Sequence, residues 1–168
     1  AYYAAANRPS ELTKSAKRGS GCGGQSQNEY NYTRPLNYKD GSMGGYYTYD
    51  EMLLVLDSMV AKFPHLISQR QDIDTLTTYQ GNRLFYVKLS DQVAEDEISE
   101  PNVLYTALHH AREPNGLTQM VYYMWYLLEN YGIDPIVTRI VNETQLYFVP
   151  CVNPDGYKLN ESTNPLGG

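Results

Sequence analysis

The sequence predicts an α/β fold with at least one parallel crossover, because its elements read as helix, hairpin, strand, helix, strand. Three observations carry this. Met52, Val55, Leu56 and Met59 recur at helical spacing behind the capping box Thr48-Tyr49-Asp50-Glu51. Asn102 to Leu108 and Leu146 to Val152 are short apolar runs of the kind that two-sided strands show. Between them, Leu117, Met120, Val121, Met124, Trp125 and Leu128 form an apolar helical stripe.

In order along the chain, Ala1 to about Gly45 has neither hydrophobic period and is rich in Ala, Gly, Ser, Asn and Gln. Such a segment buries too little apolar surface to offset its ordering entropy. Residues 1–45 are therefore expected to be a disordered leader or linker, and 46–168 the folded part. The cluster Lys14-Ser15-Ala16-Lys17-Arg18 reads as a solvated stretch, with a processing site as the alternative. The helix behind Thr48 should end at Pro64, which cannot donate a backbone hydrogen bond. Ile67 to Thr77 and Leu84 to Ser90 flank a Gly-containing loop and predict a β-hairpin. Val93 to Pro101 is an acidic loop before the first buried strand. Pro114 suits the first turn of the long helix, and Gly132 its left-handed stop. Asp134-Pro135 starts a second helix with a cap and a first-turn proline. After the strand Leu146 to Val152, Asn153-Pro154-Asp155-Gly156 reads as a turn, and from Tyr157 to Gly168 no pattern remains.

The 168 residues suffice for one domain with a substantial core. A formal net charge of −6 argues against a nucleic-acid partner, which would favour a basic face. No apolar run approaches a membrane span; the best, Val121 to Leu128, is far too short. There is no signal peptide, and a first residue Ala1 rather than Met suggests a processed product or a piece of a longer chain. Cys22 and Cys151 could pair in an oxidising compartment, but Cys151 in its apolar run reads more simply as a buried free thiol. The triplets at Asn31, Asn142 and Asn160 permit glycosylation only in a chain secreted by a eukaryote, and decide nothing.

The chemistry gathers in Leu108-His109-His110-Ala111-Arg112-Glu113-Pro114, where the strand gives way to the long helix. An imidazole and a carboxylate, His110 and Glu113, are both good zinc donors. If the chain leaves the strand in a tight turn, both can reach one point, at the strand end where open α/β sheets bind ligands. An H-x-x-E pattern alone is weak, and its position is what raises it. His109 reads as a packed or hydrogen-bonded strand-end side chain.

His110-Ala111-Arg112-Glu113, then Tyr131-Gly132-x-Asp134-Pro135, then Asn153-Pro154-Asp155-Gly156-Tyr157 together resemble the M14 zinc metallocarboxypeptidases, the carboxypeptidase A-like family. Gly44-Gly45-Tyr46-Tyr47-Thr48 is similar to secreted bacterial members. The resemblance runs from about Tyr46 to the end. It implies a mixed, largely parallel sheet with helices on both faces, truncated after the first half, and a secreted or extracellular protein. It also implies Zn²⁺ as cofactor and peptide or protein C-termini as substrates, hydrolysed at their last residue.

By the same resemblance His110 and Glu113 match two of three zinc ligands. Arg112 matches an arginine that helps bind the peptide beyond the scissile bond. Asn153 to Tyr157 matches a structural turn without assigned chemistry. The third zinc ligand, the oxyanion arginine, the groups that hold the substrate carboxylate and the catalytic glutamate all lie further downstream in the family. No catalytic residue is therefore expected within these 168 positions; the resemblance puts them downstream of Gly168. His65 and Glu161 stand in no matching position. Two other readings stay open: an inactive, carboxypeptidase-like binding module, and an H-x-x-E amidohydrolase acting on small acylated amino acids or cell-wall peptides. Arg112 and the Asn153–Gly156 turn favour the peptidase over the amidohydrolase.

Overall fold

The computed structural model describes residues 33–163. The readings made for the Lys14 cluster, Cys22 and the Asn31 triplet lie outside the described residues. So does Gly168, the position beyond which the catalytic residues are expected. The order is α1 (Tyr49–Lys62), β1 (Gln71–Thr77), β2 (Arg83–Leu89), β3 (Asn102–Thr106), α2 (Asn115–Asn130), α3 (Pro135–Glu143), β4 (Gln145–Val149) and α4 (Pro154–Thr163).

Local sequence chemistry explains the helix starts. At α1 the Thr48 hydroxyl accepts from Glu51 N at 3.2 Å, and the Glu51 carboxylate accepts from Thr48 N at 2.9 Å, so the capping box closes in both directions. At α3 the Asp134 carboxylate accepts from Ile136 N at 2.8 Å, with Pro135 in the first turn. Gly132 takes the left-handed conformation, φ 74°, between α2 and α3. All six stripe residues of α2 are buried.

The strands form one sheet in the order β1-β2-β4-β3. β1 and β4 each run antiparallel to β2, while β3 runs parallel to β4 with Tyr105 opposite Phe148. The sheet is mixed, and among the described residues its parallel part is the β3–β4 pairing, joined across α2 and α3. Phe148 stacks on Tyr105 at 5.0 Å between ring centroids, and Tyr123 of α2 meets both rings edge-on. That aromatic contact seats α2 on the parallel strands.

Several sequence expectations need correction. The run Ile67 to Thr77 is not one strand: buried Ile67 makes an isolated bridge to Leu89, and the strand begins at Gln71. β3 is not buried on both sides. Within the described sheet it is the outer strand, and Leu104 is 65% exposed. β4 fits the two-sided description, though it stops at Val149 because Pro150 has no N–H for the ladder. The stretch from Asn153 towards Gly168 is not a bare turn with a patternless tail, because its described part forms the helix α4. Asn, Pro and Asp are turn formers, yet they also cap and open helices. Here Tyr157 N donates to Asn153 O at 3.0 Å and Gly156 N to Asn153 Oδ1 at 3.0 Å.

The ordered body also reaches upstream of position 45. Leu36 N and Asn37 N donate to the Glu129 carboxylate at 2.6 and 2.8 Å, and Asn37 Nδ2 does so at 2.8 Å. Tyr38 packs edge-on against Tyr47 and Tyr122, and Met43 is only 3% exposed. Asn160, in the triplet nearest the end of the chain, is 6% exposed, so the folded chain does not present it for modification.

Candidate metal-donor site

The parallel pair does not end where the strands do. Ala107 N donates to Val149 O at 3.1 Å, Val152 N to Ala107 O at 3.0 Å, and Asn153 N to Leu108 O at 3.0 Å. This ladder carries the two exit segments side by side to the edge of the candidate site. Leu108 then turns the chain with φ 52°, an uncommon conformation for a residue with a branched side chain. Its side chain stays in the core, at 3% exposed.

The next residues form a turn in which Glu113 N donates to His110 O at 3.2 Å. His109, His110, Arg112 and Glu113 are all exposed. His110 and Glu113 therefore sit on one turn at the carboxyl end of a parallel strand, immediately before α2. The donor set, one imidazole and one carboxylate, fits zinc chemically. Pro114 precedes α2 without a side-chain cap, so the first-turn N–H groups receive no capping side chain. Arg112 has no ion-pair partner among the described residues, which leaves its five-donor guanidinium available to an incoming carbonyl or carboxylate.

The other titratable groups fall elsewhere. His65 is exposed in the segment after α1. Glu161 lies on α4, where its carboxylate accepts from Tyr49 N, and burial raises its pKa above the usual carboxylate value. It ties α4 to the start of α1. Cys151 is a buried free cysteine, with its thiol pushed up to about 12 by burial. Among the described residues, the one group of three metal-capable side chains is Asp91, Glu97 and Glu100, which includes neither His110 nor Glu113. It stands by the amino ends of β3 and β4, where Gln145 Nε2 donates to Glu97 O at 2.9 Å.

The Asn153–Tyr157 block, expected to be a structural turn without chemistry, is a structural junction between the hairpin loop, α4 and the residues before α1. Asp155 accepts from Thr78 Oγ1, from Asn82 Nδ2 at 2.7 Å and from Gln80 N at 2.9 Å, fastening the hairpin loop to α4. Tyr157 is fully buried and donates to Tyr47 O. Asn153 Nδ2 donates to His109 O at 3.4 Å. Its position one turn before Tyr157, in a cap-like Asn-Pro-Asp order, is the signal that could have revealed this.

Together these features define an α/β chain with a candidate metal-donor turn at the carboxyl end of a parallel strand. The chain belongs to the zinc carboxypeptidase family, peptidase M14, whose profile matches residues 52–168. It is 31% identical over 119 residues to a zinc carboxypeptidase of Saccharothrix mutabilis subsp. capreolus, covering 71% of this chain and 26% of that protein. It is 32% identical over 87 residues to human carboxypeptidase D, covering 52% of this chain and 6% of that one. Its fold is similar to the carboxypeptidase A of Helicoverpa armigera, with a TM-score of 0.58 at 21% identity, covering 77% of this chain and 31% of that one. The chain thus spans about a quarter, or far less, of the curated relatives it matches.

Proposed function

We propose that these residues supply two zinc donors, His110 and Glu113, and one peptide-binding group, Arg112, to a zinc metallocarboxypeptidase that removes C-terminal residues from peptides. The observation that supports this most is the exposed His110–Glu113 turn at the carboxyl end of β3, within a chain of the zinc carboxypeptidase family. Zinc held there would act as a Lewis acid on the scissile carbonyl. Arg112, one residue before Glu113 and exposed, would hold the peptide through its carbonyl oxygens beside the scissile bond.

A catalytic zinc takes three protein ligands plus an open position, and this chain brings two to the turn. By family resemblance, the third ligand and the glutamate base come from sequence downstream of Gly168. Two donors leave zinc loosely held. The 168-residue chain should therefore bind zinc only weakly and release no C-terminal residue from a peptide. Calorimetric zinc titration and a peptide release assay test this, with His110→Ala and Glu113→Ala expected to abolish the weak binding. Submicromolar binding with metal-dependent release, lost in Glu113→Ala, would show that these residues form a complete site. Zinc binding that both variants leave unchanged would remove the metal-site reading.

A further inference from the structure

We propose that Asn153 and Gly156 are positioning residues for His110 and Glu113, seating the donor turn against the first turn of α4. This inference rests on the metal-site reading above. The backbone ladder between the two exit segments stops at the Asn153 N–Leu108 O bond, one residue short of His109. From there the Asn153 side chain takes over. Its Oδ1 accepts from Gly156 N at 3.0 Å, and its Nδ2 donates to His109 O at 3.4 Å. One amide group therefore spans from the start of α4 to the residue before His110.

Gly156 completes the seat by what it lacks. It lies inside α4 and is not among the glycines with positive φ, so its backbone conformation does not require glycine. Glycine within a helix is otherwise unfavourable, because it loses more chain entropy than alanine. Space gives the reason. A Cβ at 156 would stand 2.8 Å from Asn153 Nδ2, 2.9 Å from Asn153 Oδ1 and 3.0 Å from the Ala111 Cβ. A methyl group there would press on the amide bridge and on the residue between His110 and Arg112. Groups that orient metal donors are worth about 10–100-fold in metal affinity when removed.

The test uses the full chain in four forms: parent, Asn153→Ala, Gly156→Ala, and Gly156→Ala combined with Ala111→Gly. NMR hydrogen exchange of the Glu113 amide, which donates to His110 O, reports the turn directly, with interior amides of α2 as reference. Zinc affinity is measured in parallel. We expect faster Glu113 exchange in both single variants with α2 unchanged, and a loss of zinc affinity of about tenfold or more. Removing the Ala111 methyl should restore part of both in the Gly156→Ala background, which a general loss of stability would not do. Exchange and affinity equal to the parent in both single variants would overturn the proposal. So would a rise shared equally by α2. Should Gly156→Ala fail to fold, Asn153→Ala, which adds no volume, decides by the same criteria. If the parent binds no zinc, the metal reading fails, while the exchange data still judge whether these residues seat the turn.

Discussion

At Leu108 two effects oppose each other in one residue. A non-glycine residue with φ near 52° costs about 1–2 kcal/mol. Removing a buried leucine side chain costs about 2–5 kcal/mol. Burial is the larger effect, so Leu108→Gly should destabilise the chain by roughly 1–3 kcal/mol in urea unfolding despite relieving the backbone. A variant as stable as the parent would show that strain dominates. Asp155 poses a titration question instead. Hydrogen bonds from Thr78 and Asn82, with a smaller contribution from Gln80, hold its carboxyl below the usual aspartate value. A carboxyl depressed in the folded state stabilises fully above its unfolded value and loses that contribution as pH falls through the folded one. Asp155→Ala should therefore lower the melting temperature at pH 7 and do so progressively less as the pH drops below about 4. An equal effect at both ends would mean that the charge is not what fastens the hairpin loop.

Among the elements, α1, α2 and α3 were legible because caps and apolar stripes act within a turn or two of chain. The strands were less so. An apolar run signals β structure, but whether neighbours cover it depends on strands far away in sequence. Val103, Leu104 and Tyr105 read as a two-sided strand, yet β3 is the outer strand of the described sheet. For α4, Asn153, Pro154 and Asp155 serve turns and helix starts equally well, and the deciding information is the burial of Tyr157 and its hydrogen bond to Tyr47 O. The exposed side of β3 carries a direct expectation. Leu104→Lys should raise the solubility limit of the chain while shifting its melting temperature by no more than about 2 °C. A large fall in melting temperature would show that Leu104 is covered in solution.

For the whole molecule, the donor pair was readable because His110 and Glu113 lie three positions apart, whereas the residues that seat them follow two helices and a strand later. Nothing local to His110 points to Asn153. The same non-local character governs where the chain begins to matter. Glu129 lies in the last turn of α2, where a helix disfavours negative charge, and three N–H groups from Leu36 and Asn37 offset that. A chain starting at residue 46 would lose those donors together with Met43 and Tyr38. It should melt roughly 5 °C or more below one starting at residue 33, by differential scanning calorimetry. Equal melting temperatures would mean that the upstream segment only decorates the core. Proteolytic trimming should therefore have a threshold: a cut between Asn37 and Gly41 would part the Glu129 clamp from buried Met43 and bring forward the same loss of melting temperature.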